Sequence, residues 1–214
     1  NLAACRLGLV LCPIVPIYRE REVELILADC RAKGIFVPQR FRNFVHLATP
    51  TAWRGPLPHL QHVWTVKGEG GAPDLRDLLA EEAPLPDLPR TDPDAVKLIL
   101  YTSGTTGRPK AVMHSHNSLA RSMRRAARHW GLGPGDTTLM PSPVTHVTGY
   151  TYGLELPFHD RVRCVLMEKW EAAEAADLIE REQVSFTLCA TPFLQELLDI
   201  AEREKRPLPS LRTF

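Results

Sequence analysis

No stretch of the sequence approaches the roughly 18 consecutive apolar residues that a membrane-spanning helix needs. No basic-then-apolar leader opens it either, so neither a span nor a targeting segment is expected. Charge of one sign is also missing, because 26 Lys and Arg face 25 Asp and Glu, for a net charge of +1. Without a global field, binding to nucleic acid or to an anionic bilayer would need a dominant local patch, and none stands out. Neither partner is expected, and the cytoplasm is the default compartment. Cysteine is sparse: Cys5, Cys12, Cys30, Cys164 and Cys189 form an odd count with no Cys-x-x-Cys pair. That argues against a disulfide framework and a zinc site, and the five are read as reduced core thiols. The Gly-Lys-Ser/Thr signature of the common nucleotide-binding loop is absent as well, which weighs against a kinase or GTPase.

What is present is an alternation of helical and extended patterns. Leu2 to Arg6 fits a short helix that Gly8 can end, and Leu9 to Cys12 reads as a strand before Pro13 and Pro16. Val23, Ile26, Leu27 and Cys30 recur at helical spacing within 20–33, with Gly34 as the stop and Ile35 to Val37 as the next strand. A strand is expected over 62–66. A short helix follows over 74–82, with Asp74 where a carboxylate suits free backbone N–H groups. Pro84, Pro86, Pro89 and Pro93 crowd residues 83–94; each lacks a donor and fixes φ, so a subdomain junction is placed there. Beyond it, 95–102, 111–114, 137–140, 162–167 and 184–188 read as strands, and 117–130, 146–156, 171–183 and 192–205 as helices. Ser115 or Asn117 is expected to cap the first of these helices. The expected fold is α/β, with largely parallel sheets, flanking helices and two subdomains, 1–94 and 95–214.

The densest chemistry lies just after the apolar run Leu98-Ile99-Leu100. Thr102, Ser103, Gly104, Thr105, Thr106 and Gly107 put four hydroxyls and two glycines into six positions. Such a loop offers many O–H and N–H donors and little bulk, so its backbone can close around an oxyanion. Lys110 adds a flexible point charge that offsets the negative charge of a polyphosphate tail. A surface turn of small residues is the plain alternative; the ordered spacing and the flanking apolar strand favour the phosphate reading.

Tyr101 to Lys110 resembles the signature of the adenylate-forming superfamily, Tyr-Thr-Ser-Gly-Thr-Thr-Gly-x-Pro-Lys-Gly, at ten consecutive positions. The departure is Ala111, where the family usually has Gly. Met140 to Gly149 resembles the family's Pro-x-x-x-His-x-x-Gly element, and weaker likenesses run from Ala3 to Pro16 and from Phe186 to Pro192. The resemblance implies the N-terminal domain of an acyl-CoA synthetase or acid–CoA ligase. Such an enzyme uses Mg²⁺ and ATP to convert a carboxylic acid to acyl-AMP and pyrophosphate, then passes the acyl group to CoA. By the same resemblance, Thr102 to Gly107 and Lys110 hold the phosphates, and Thr105 or Thr106 touches Mg²⁺. His146 is the candidate catalytic residue, and Thr145, His146, Gly149 and Tyr150 face the acid, of medium-chain, alicyclic or aryl type, with core packing as the plainer reading of Tyr150. His146 has a structural alternative, as a locally satisfied histidine.

Other features have plainer readings. Arg121, Arg124, Arg125 and Arg128 form a basic helical stripe, read as a solvated face or a subunit contact. The start without Met and the end at Phe214 predict a piece of a longer polypeptide, inactive alone, with an exposed sheet edge that a homodimer would cover. The later metal, ribose and C-terminal lysine elements of the family do not occur in these residues. The competing readings are a non-catalytic nucleotide-binding or association module and a fragment of an amino-acid adenylation domain.

Overall fold

The computed structural model describes residues 1–46, 57–68, 73–81, 84, 87–102 and 109–214. In chain order the elements begin with α1 (Leu2–Arg6), α2 (Glu20–Asp29), β1 (Gly34–Pro38), β2 (Arg40–Phe41), β3 (Phe44–Val45), β4 (His62–Val66) and α3 (Leu75–Ala80). Next come β5 (Val96–Thr102), β6 (Lys110–Ser115), α4 (His116–His129) and β7 (Thr137–Met140). A π-helical segment, Gly149–Glu155, runs into α5 (Leu156–Asp160), followed by β8 (Arg163–Leu166), α6 (Ala172–Glu182), β9 (Phe186–Thr187) and α7 (Thr191–Arg203). The chain divides into two compact units: Asn1–Pro13, Arg90–Leu100 and Val112–Phe214 form one, and Ile14–Pro89 with Tyr101–Ala111 the other.

In the second unit, β1 and β4 pair in parallel and β2 and β3 form a small antiparallel ribbon. Val23 and Leu27 of α2 pack with Val37, Leu57, Leu60 and Val63 into its core. The Glu22 carboxylate accepts the Arg19 N–H at 3.2 Å, closing the start of α2. The helix expected over 20–33 ends sooner, capped at Cys30, and Arg31 takes a left-handed φ of 49°. Gly34 is therefore not its stop. It opens β1, and a Cβ there would sit 2.9 Å from Cζ3 of Trp64, so the glycine makes room for an indole.

In the first unit, a parallel sheet runs in the order β8-β7-β9. All four residues of its central strand are buried, as a parallel strand covered on both faces requires. Leu139 packs there with Ala175, Ala176, Ile179, Val184 and Leu197. Ser115 caps α4, accepting the Ser118 N–H at 3.1 Å, and Gly131 leaves the helix region with φ 63°.

Four further expectations change. The strand over 9–12 reduces to a parallel bridge between Leu11 and Leu98, and the strand over 184–188 to Phe186–Thr187. The five cysteines form no disulfide and are half-buried, outside the buried clusters; burial pushes the Cys164 and Cys189 thiols up to about 11. The helix over 146–156 is largely π-helical, with i→i+5 bonding in place of the usual i→i+4.

Candidate functional site

β5 leads toward the hydroxyl-rich loop through alternating buried positions: Leu98 and Leu100 are buried, Ile99 and Tyr101 less so. The Tyr101 hydroxyl donates to Asp29 Oδ2 at 2.5 Å, fixing the strand end within its unit. One residue on, Thr102 Oγ1 donates to the Lys110 carbonyl at 3.4 Å, joining the residues that flank the loop. Both Thr102 and Lys110 are exposed, so the ammonium is open to an incoming anion. Ser103, Gly104, Thr105, Thr106 and Gly107 lie outside the described residues. No group of three or more His, Cys, Asp or Glu among the described residues is placed to hold a metal ion.

A separate group of candidate residues, in the first unit, follows β7. Ser142 Oγ donates to the Leu188 carbonyl at 3.4 Å, and the His146 N–H donates to the Pro143 carbonyl at 2.9 Å. The imidazole is exposed, and its Nδ1 accepts the Thr148 N–H at 3.3 Å. That bond leaves the ring proton on Nε2, the atom free to donate to an anionic oxygen. Gly149 is buried under its own approach loop. A Cβ there would lie 2.2 Å from the Pro143 carbonyl oxygen and 2.5 Å from that of Ser142, so no other residue fits without moving backbone. Thr145 Oγ1 is buried with no hydrogen-bond partner among the described residues. Tyr150 is 1% exposed, and its hydroxyl donates to Asn1 Oδ1 at 2.7 Å.

The model of the family described as AMP-binding enzyme matches residues 1–214. The chain belongs to this family. It is 32% identical, over its whole length, to the medium-chain fatty-acid–CoA ligase of Escherichia coli (strain K12), of which it covers 38%. It is 29% identical over 99% of its length to the indoleacetate–CoA ligase of Aromatoleum aromaticum, covering 41% of that protein. The crystal structure of ATP-bound MatB from Rhodopseudomonas palustris superposes with a TM-score of 0.81 at 23% identity, covering 99% of this chain and 40% of that one. The chain thus spans about two-fifths of the length of these relatives. It has the fold of the N-terminal domains of adenylate-forming ligases.

Sequence reasoning missed one feature of this AMP-binding chain, a buried polar cluster in the first unit. Lys97 Nζ donates to Glu155 Oε2 at 2.9 Å, with side chains only 4% and 9% exposed. Asn1 Nδ2 donates to Glu155 Oε1 at 3.1 Å, and His159 Nε2 lies 3.8 Å from Glu155 Oε2. Burial works to raise the Glu155 carboxyl, but the hydrogen bonds from Lys97 and Asn1 and the Lys97 charge outweigh it and hold the group below its ordinary value. Burial, with the nearby Lys97 charge, lowers His116, and burial with the Glu155 charge raises Tyr150. A signal was there to find: Lys97 is a lone charge in the run Val96 to Leu100, and Glu155 a lone charge between Leu154 and Leu156.

Proposed function

We propose that the chain is the ATP- and acid-binding part of an acid–CoA ligase acting on a medium-chain, alicyclic or aryl carboxylic acid. The observation that carries this reading is the ten-residue match from Tyr101 to Lys110 in a chain the family model covers from end to end. The names of the relatives, a fatty-acid and an arylacetate ligase, support the substrate class. In the first step an acid oxygen attacks the α-phosphorus of ATP. The bond to the bridging oxygen breaks, and pyrophosphate leaves with the electron pair. In the second step the CoA thiolate attacks the acyl carbon and AMP leaves. Neither step needs a strong acid or base, so the protein's task is placement and charge stabilisation.

Thr102 to Gly107 would surround the β- and γ-phosphates and Lys110 would offset their charge, while Nε2 of His146 would donate to the acid. Mg²⁺ would arrive with the nucleotide and draw charge off its phosphates; Thr105 or Thr106 is the proposed protein contact. Thr145, Gly149 and Tyr150 belong to the acid side, with Gly149 shaping the turn and Tyr150 buried behind it. Residues 1–214 alone are expected to form no acyl-AMP. A homodimer and a cytoplasmic location belong to the same proposal, as does a subdomain junction within 83–94 dividing 1–94 from 95–214, with the exchange of Asn1–Pro13 and Tyr101–Ala111 between the two compact units as its amendment.

The test is acid-dependent ATP–pyrophosphate exchange by the complete protein. Lys110→Ala is expected to slow exchange by about 10²-fold, the scale of losing one charge-stabilising group. His146→Ala is expected to raise KM for the acid about tenfold while KM for ATP holds. Exchange indifferent to every acid tried, or to Lys110→Ala, would contradict the reading.

A further inference from the structure

Seven consecutive π-helical residues are a minority conformation that persists only where the surroundings hold it. The Gly149–Glu155 segment is held at both ends. At its start, Gly149 passes so close over Ser142 and Pro143 that no side chain fits between. At its end, Glu155 is bonded to Lys97 and Asn1, and Asn1 in turn takes the Tyr150 hydroxyl. Tyr150 and Glu155 stand five residues apart, yet both reach one asparagine side chain. The i→i+5 bonding of a π-helix brings such residues onto the same face, whereas an α-helix at 3.6 residues per turn would set them about 140° apart. The shared partner is thus matched to the π register. Midway, Gly153 lies against Met140 and Leu166, where a Cβ would come within 2.9 Å and 3.2 Å of their side chains, so the segment also has a fixed seat on the sheet.

We propose that the buried Lys97–Glu155 ion pair is a positioning element. It holds residues 149–155 in π-helical register and thereby sets the acid-binding side formed by Thr145, His146 and Gly149. Relaxation to α-helical bonding would slip the segment by one residue, about 100° of rotation, and carry the preceding turn with it. Lys97, Glu155 and Asn1 act through the backbone and need not touch substrate. The effect on acid binding rests on the ligase reading above; the effect on the segment does not.

The test uses the complete protein, with Glu155→Gln, Lys97→Met, and the charge-exchanged pair Lys97→Glu with Glu155→Lys. The paired change Lys97→Met with Glu155→Leu, which leaves no buried charge unmatched, guards against a single variant that does not fold. Two measurements are made: amide hydrogen exchange across 149–156, and KM for a graded series of acids and for ATP. In Glu155→Gln, or in the apolar pair if that variant does not fold, exchange across 149–156 is expected to rise at least about tenfold above that of the sheet. The preferred acid is expected to change, with KM for the original acid up about tenfold and KM for ATP within about twofold. The charge-exchanged pair is expected to recover most of both. A general loss of stability would lower the active fraction and leave the acid profile alone, so the KM split separates positioning from folding. Unchanged exchange, or equal changes in KM for acid and ATP, would overturn the proposal. A wild-type protein that activates no acid would remove the ligase reading while the exchange result still decides whether the ion pair holds the segment.

Discussion

Asp74 and Glu155 are both buried carboxylates held below their ordinary range, and they reach that state by opposite routes. Asp74 accepts the side chain and N–H of Arg76 at 2.8 and 3.0 Å, the N–H of Gly68 at 2.7 Å and the hydroxyl of Thr65 at 3.1 Å. All its partners lie within nine residues, and the Arg76 side chain is the first cause of its lowering. Glu155 is bonded to partners 58 and 154 residues away. A locally satisfied acid punctuates the chain: it caps α3 and takes the Gly68 N–H. A remotely satisfied acid fixes one segment against another, and its charge must be matched by a group that is itself buried. Asp74 therefore stabilises one helix start, whereas Glu155 controls the geometry of a segment next to the candidate acid site.

The comparison predicts its largest effect at Glu155. Glu155→Leu leaves the Lys97 ammonium buried and unmatched, and is expected to cost about 3–5 kcal/mol in urea unfolding. Adding Lys97→Met is expected to return most of that loss; a single variant no worse than the pair would erase the distinction between the two acids. Gly149→Ala loads the other end of the π-helical segment and is expected to cost about 1–3 kcal/mol, the range for forcing atoms into filled space. Asp74→Asn comes next, with a smaller drop in the urea midpoint and no change in acid preference. The sign of its pH dependence follows from the lowered carboxyl. The unfolded chain takes up the proton first, so the stabilisation is complete above the ordinary value of 3.8 and is lost as pH falls below it. Asn at this position should remove that acid-side slope. His116, facing Lys97, Glu155 and His159, gives the smallest effect. Its pKa is lowered, so wild-type stability should decline as pH falls below 6.5, and His116→Gln should flatten the curve there.

The same contrast explains what could be read from one sequence. The Asp74 cap and the Ser115 helix start depend on neighbours a few residues away, and the strands 62–66 and 95–102, though paired with distant segments, show as short apolar runs, so their residue types announce all four. The loop from Thr102 to Lys110 is legible for a similar reason: its chemistry is contiguous. Gly34 was misread because a glycine after an amphipathic stretch fits a helix end as well as it fits close packing against Trp64. The π-helical segment was hidden because its apolar spacing passes for an ordinary amphipathic helix; the extra residue per turn shows only in the bonding. Lys97 and Glu155 stood out singly as charges in apolar runs, but nothing local says that they meet. Cysteine burial was overestimated because composition alone does not separate a core thiol from a half-covered one.

The central claim is that the loop ending at Lys110 grips the triphosphate of ATP. Calorimetric titration of the complete protein with Mg·ATP tests it most directly, comparing wild type with Lys110→Ala. The account predicts saturable one-to-one binding that weakens at least about tenfold in the variant, the equivalent of about 1.4 kcal/mol of lost interaction. Equal affinity in the two proteins would contradict it.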